Sequence, residues 1–120
     1  GIAEAGMLAA AEGGRRFAIA TTTPDLIGSI QGRAEAYGIA DLLTSVRITK
    51  GDLTETMADP HLLLNRLGAA VERCVAEDGA QAVVIGGGPL AAAARDLAPV
   101  CAVPLIEPIP AAVARLRTLL

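Results

Sequence analysis

Apolar residues along this chain fall into two kinds of block. Short unbroken runs occupy 17–20 (Phe-Ala-Ile-Ala), 82–85 (Ala-Val-Val-Ile) and 103–106 (Val-Pro-Leu-Ile), and 45–49 (Ser-Val-Arg-Ile-Thr) alternates. Unbroken runs of this length read as strands buried on both faces, and the alternating one as a wetter strand. Between them lie longer stretches with helical spacing. Residues 2–12 form the first, stopped by Gly13-Gly14. The second starts at Thr23-Pro24-Asp25, where Thr23 can cap, Pro24 takes the first helical position and Asp25 meets the positive dipole end. It runs to about Tyr37 and Gly38. The longest begins at Asp59-Pro60, ends at Asp78-Gly79 and turns Leu63, Leu67, Ala70, Val71 and Cys74 inward. A fourth follows Gly86-Gly87-Gly88-Pro89 to about Leu97, and a fifth follows Glu107-Pro108-Ile109-Pro110.

The order is one helix, then strand–helix four times. Strands alternating with helices of this length pair in parallel through right-handed crossovers. The expected fold class is therefore α/β: a single three-layer domain over residues 1–120 around a four-stranded parallel sheet. The expected strand order is 2-1-3-4. Composition narrows the core. Among 120 residues there are 25 alanines but only Phe17 and Tyr37 as aromatics, so the layers must pack through aliphatic side chains.

A net charge of −3 without a basic stripe or stacking aromatics argues against nucleic acid as a partner. No apolar run reaches the roughly 18 to 20 residues of a membrane span, and Gly1-Ile2-Ala3-Glu4 lacks the basic start of a signal peptide. Cys74 and Cys101 form neither a disulfide framework nor a metal pattern, so a reducing cytoplasm is the expected compartment and no metal is expected. Gly1 opens directly into a helical pattern and Leu119-Leu120 closes inside another without a C-cap, which reads as a fragment of a longer chain.

Open parallel sheets bind ligands at the carboxyl ends of their strands. Three of those ends are unusual here: Thr21-Thr22-Thr23-Pro24 after the first strand, Gly86-Gly87-Gly88-Pro89 after the third and Glu107-Pro108 after the fourth. Each feeds a helix start, and converging N–H groups with hydroxyls make a cradle for a carboxylate, phosphate or enolate. Thr21, Thr22, Thr23, Gly86, Gly87, Gly88 and Glu107 are the candidate binding residues. The alternatives are a plain strand end with a cap, a tight turn, and a surface carboxylate. The glycine run is not a dinucleotide fingerprint, since its spacing and its strand are wrong, and no Gly-Lys-Ser/Thr makes it a P-loop. Glu107 would orient a substrate amide or act as a base. His61 reads as plain surface, Arg47 and Lys50 as a solvated edge, and Cys74 as a core residue. Cys101 precedes the fourth strand, near the edge away from the glycine run.

The ordered set Gly1-Ile-Ala-Glu-Ala5, Phe17-Ala-Ile-Ala-Thr-Thr-Thr-Pro24, Glu77-Asp-Gly-Ala-Gln-Ala-Val-Val-Ile-Gly-Gly-Gly-Pro-Leu90, Val103-Pro-Leu-Ile-Glu107 and Ala111-Ala112-Val113 resembles the aspartate/glutamate/hydantoin racemase superfamily, the hydantoin racemase branch above all. It spans nearly the whole chain but only about the second half of such an enzyme. The resemblance implies one lobe of a two-lobe fold with the active site between the lobes, an absent N-terminal lobe as partner, and no cofactor. It also implies one cysteine from each lobe, on opposite faces of the substrate's acidic carbon. In the family the second-lobe cysteine follows a Gly at the end of this lobe's third strand, and that position here is Gly87. Glycine keeps its backbone donor but cannot carry a proton.

The first functional expectation is thus a racemase- or isomerase-like lobe acting on a small amino acid, cyclic ureide (hydantoin) or carboxylate. The Thr and Gly residues would hold its oxygens and Glu107 would shape the pocket. The others are a binding module without catalysis, a single-cysteine decarboxylase or isomerase, and a structural role. A lobe parted from its partner would expose an apolar face, so a homo-oligomer is also expected.

Overall fold

The computed structural model describes residues 2–86, 88–107 and 116–117. Four strands, β1 (Phe17–Thr21), β2 (Leu43–Ile48), β3 (Ala82–Ile85) and β4 (Leu105–Ile106), form one sheet in the order β2-β1-β3-β4, all neighbours parallel. This is the expected topology. The helices are α1 (Ile2–Ala10), α2 (Ile27–Ala36), α3 (Leu53–Ala58), α4 (Pro60–Ala76) and α5 (Ala91–Leu97), with short 3₁₀ turns between several of them.

Successive residues of β1 and β3 point to opposite faces, and both faces are apolar because helices cover both. Ala18, Ala20, Val83 and Ile85 pack under the α4 stripe Leu63, Leu67, Ala70, Val71 and Cys74 and under α5. Phe17, Ile19, Ala82 and Val84 pack with Met7 and Ala10 of α1 and Ala34 of α2. The result is three layers, and every residue of β1 and β3 is buried. β2 lies at the sheet edge and all six of its residues are half-buried, in keeping with its alternating pattern.

The helix ends follow the residues that mark them. Thr23 caps a 3₁₀ turn at Pro24–Leu26 that leads into α2. Asp59 Oδ1 accepts from the backbone N–H groups of His61 (2.9 Å) and Leu62 (3.3 Å), satisfying donors that the first turn of α4 leaves free. Gly79 closes α4 at φ +72°, and Ala80 N–H returns to the Cys74 carbonyl at 3.0 Å. A side chain at that left-handed position would be strained.

Besides the shift of β2 from 45–49 to Leu43–Ile48, two elements differ more strongly from the expectation. β4 is confined to Leu105–Ile106. Pro104 has no N–H to give, and only its carbonyl joins the pairing, accepting from Val83 N–H at 3.0 Å. The second difference is α3, which the periodicity does not predict. It is six residues long, capped by Asp52 accepting from Glu55 N–H at 2.9 Å, and two of its apolar residues, Leu53 and Met57, are exposed. It has no inward stripe for periodicity to find. The Asp52-x-x-Glu55 spacing is its one signal. The helix expected after Pro110 lies outside the described residues, apart from the helical pair 116–117.

Candidate functional site

The sheet order creates one special place. From β1 the chain crosses outward to β2, then returns past β1 to β3 and continues the other way to β4. The topological switch point therefore lies between β1 and β3, where connections part to opposite faces, the kind of place at which open α/β sheets bind ligands. Thr21 ends β1 there and Gly86 follows β3 beside it.

Register places the rim residues side by side. Ala20 pairs with Ile85, so Thr21 and Gly86 stand level; Val84 pairs with Ile106, so Glu107 stands level with Ile85. Neighbouring strands are about 4.8 Å apart. The ends that carry Thr21, Gly86 and Glu107 thus share one edge of the sheet. Of the candidate residues only Gly87 lies outside the described ones.

The three threonines have different surroundings. Thr21 is buried (1% exposed) and its hydroxyl donates to the Gly86 carbonyl at 3.2 Å. Thr22 is half-buried, and its hydroxyl makes no hydrogen bond to another described residue. Thr23 Oγ1 accepts from Asp25 N–H at a long 3.4 Å, as a cap. Gly88 opens a 3₁₀ turn, Gly88–Leu90, that leads into α5. A Cβ built on Gly86 would rest 3.4 Å from Thr21 Cβ and 3.5 Å from its Oγ1, an ordinary contact, and Gly86 has no positive φ. Among the described residues Thr21 and, at 3.7 Å, Ile19 come nearest to that position. Glu107 is half-buried one residue past β4.

Arg47 corrects the expectation of a solvated edge. It sits on β2 but reaches to the end of α4, where Nε and a terminal nitrogen donate to Asp78 Oδ2 (2.8 Å) and Oδ1 (2.7 Å), with Glu77 at 3.0 Å. Ser45 Oγ adds a 2.6 Å bond to Asp78 Oδ2. Its charge is committed at the end of the sheet away from the rim. The Arg47 hydrogen bonds, with that of Ser45, hold the Asp78 carboxyl down to about 2. A depressed folded-state value means that this contribution is present above the ordinary carboxylate range, near 4, and fades as pH falls toward 2. Unfolding free energy measured against pH should drop through that window, and Asp78→Asn should flatten the drop. An unchanged acid slope in the variant would refute the assignment.

Both cysteines lie away from the rim. Cys74 is fully buried on the α4 stripe, and burial first, then the Asp78 charge, pushes its thiol up to about 11. It is protonated at neutral pH and inert. Cys101 precedes β4 and is raised by burial as well. Among the described residues no three His, Cys, Asp or Glu side chains converge on a metal-sized site, and no helix is long and apolar enough to cross a membrane.

A clasp beside the rim escapes sequence reasoning. The Arg66 guanidinium of α4 binds the Thr56 hydroxyl and, at 2.9 Å, Glu55, tying α3 to α4. It also lies over Gly51, where a Cβ would come within 2.6 Å of it. Only the Asp52-x-x-Glu55 cap hints that this segment is ordered.

Comparison with known proteins decides the family. The pattern described as Asp/Glu/Hydantoin racemase matches residues 1–116. The chain belongs to the Asp/Glu/hydantoin racemase family. The hydantoin racemase of Rhizobium meliloti is 30% identical over 120 residues, which is the whole of this chain and 50% of that protein. The one from Paenarthrobacter aurescens is 28% identical, covering 93% of this chain and 48% of that protein. Among solved structures, allantoin racemase from Klebsiella pneumoniae superposes with a TM-score of 0.85 at 28% identity, over 99% of this chain and 49% of that one. Allantoin racemase from Pseudomonas fluorescens gives 0.86 at 24% identity, a likeness of fold, over 98% and 50%. The chain spans about half the length of these family members.

Proposed function

We propose that this chain is the second lobe of a cofactor-independent, racemase- or isomerase-like enzyme that moves a proton at a carbon next to a carbonyl. The substrate is a small cyclic ureide of the hydantoin class, an amino acid or a related carboxylate. The observation that carries this reading is the shared rim at the switch point, with Thr21, Gly86 and Glu107 on adjacent strand ends, in a chain whose relatives are hydantoin racemases.

In this reading a base from the other lobe takes the acidic C–H proton. The C–H electron pair moves into the carbonyl, and a proton is then delivered to the same carbon. The chain's part is to hold the oxygen on which charge develops. The Gly88 backbone N–H and the Thr22 hydroxyl serve as fixed donors, which stabilise developing charge without reorganising during the step. Glu107 orients the ring N–H groups or borders the pocket. Thr23 holds the first turn toward α2 in place.

Gly87 sets the limit of the chemistry. The resemblance puts the second proton carrier at this position, and glycine has none to give. A single thiol from the other lobe would exchange the proton or replace a departing carboxyl group on one face. That residue therefore favours one-thiol chemistry, decarboxylation or one-sided exchange, over two-sided racemisation. Loss of both activities would leave a lobe that only binds carboxylates.

The deciding experiment incubates the intact polypeptide that carries this chain in D₂O with 5-substituted hydantoins, amino acids and 2-substituted malonates. Deuterium incorporated without loss of optical activity supports one-sided exchange. Incorporation with inversion supports a second proton carrier elsewhere, and decarboxylated product supports that variant. No exchange and no decarboxylation with any of these sets would leave the binding module as the better reading.

A further inference from the structure

We infer that Thr21 is a positioning residue of this site: its buried hydroxyl anchors the Gly86 carbonyl and so sets the direction in which the chain leaves β3 for the ligand-facing turn. The inference rests on the reading proposed above, and it separates the three threonines by role.

At 1% exposure Thr21 cannot offer its hydroxyl to a ligand at the rim. It is instead a junction of three strand ends. Its carbonyl accepts from Thr49 N–H at 2.9 Å, just beyond β2, and its hydroxyl donates to the Gly86 carbonyl at 3.2 Å, just beyond β3. Gly86 N–H in turn donates to the Ala20 carbonyl at 2.9 Å.

The hydroxyl is not needed for strand pairing. Four residue pairs already hold β1 to β3 through the backbone. On strand alternation Thr21 continues the row of Phe17 and Ile19, where an apolar β-branched side chain would fit as well. The one group that gains from an oxygen here is the Gly86 carbonyl, the first beyond the ladder. A peptide group is planar, so fixing its carbonyl fixes the exit direction of the chain. Thr21 lies against Gly86, its side-chain atoms 3.4 and 3.5 Å from where a Cβ would stand. The hydroxyl thus holds the Gly86 peptide in one orientation where the chain leaves β3, and fixed backbone donors beyond it require such an anchor.

The test compares wild type, Thr21→Val and Thr21→Ser in the intact polypeptide, with deuterium exchange of a 5-substituted hydantoin, NMR titration with unsubstituted hydantoin and the ¹³C shift of the Gly86 carbonyl. Thr21→Val should lower kcat for exchange about tenfold or more, since small misplacements of catalytic groups have effects of that order. KM should stay within about twofold, and the Gly86 carbonyl resonance should move. Thr21→Ser should restore both rate and resonance. A Val variant with wild-type kcat and an unmoved Gly86 carbonyl overturns the proposal, as does a Ser variant as impaired as Val, which would assign the effect to packing. If the wild type exchanges no proton, the catalytic reading of the site falls. The positioning role then stands if hydantoin shifts the Gly88 amide in wild type and Thr21→Ser but not in Thr21→Val. It falls if no such pattern is seen.

Discussion

Phe17→Ala is expected to lower the free energy of unfolding by about 3–5 kcal/mol, the range for truncating a fully buried phenylalanine. Phe17 opens the central strand β1, is 0% exposed and is the only phenylalanine in the chain. It packs in one cluster with Met7 and Ala10 of α1, Ala34 of α2 and Ala82 and Val84 of β3. Alanine and valine neighbours on strands and helices have little reach, so the cavity left by the ring cannot collapse cheaply. Against a total stability of about 5–15 kcal/mol, one such change removes a large share. Urea denaturation should show a midpoint lower by roughly 2 M with an unchanged slope. A loss below about 1 kcal/mol would contradict the packing described.

The second large effect is functional. Thr22→Ala should reduce α-proton exchange by the intact polypeptide on the order of 100-fold, the usual cost of losing one donor to a developing oxyanion. Thr22 stands beside the switch point, half-buried, with no hydrogen bond to another described residue. Removing its hydroxyl should therefore change stability by less than about 1 kcal/mol. Exchange kinetics and a thermal melt on the same samples separate the two effects. An unchanged rate would remove Thr22 from the site. A rate loss matched by an equal loss of stability would make it a structural residue.

Thr21 and Thr22 show why the candidate site was only partly legible in the sequence. The run of three threonines followed by proline marks a strand end and a helix start, and that much depends on local rules. The residues differ in which way each hydroxyl faces, and this is set by where the polypeptide leaves the strand pleat. Thr21 is the last residue of β1 and Thr22 lies beyond it. Gly86 is similar. The atoms nearest the place of a Cβ at Gly86 are those of Thr21 and Ile19, which no local pattern shows. Arg47 reads as a solvated charge until α4 brings Asp78 to it from 31 positions away. The Arg66 clasp on Thr56 and Glu55 was invisible for the same reason.

By itself, the order of short aliphatic runs and capped amphipathic segments determined the layers and the parallel sheet. Those follow from periodicity, chain connectivity and the need to cover both sheet faces, which are properties of consecutive residues. The ordered residues that resemble the racemase family belong to the same level. The tertiary structure decided which polar groups are already bonded to one another, Thr21 to Gly86 and Arg47 to Asp78 among them. A hydroxyl, carbonyl or guanidinium can satisfy a partner far along the chain as readily as a ligand, and only the meeting of strand and helix ends shows which one it has.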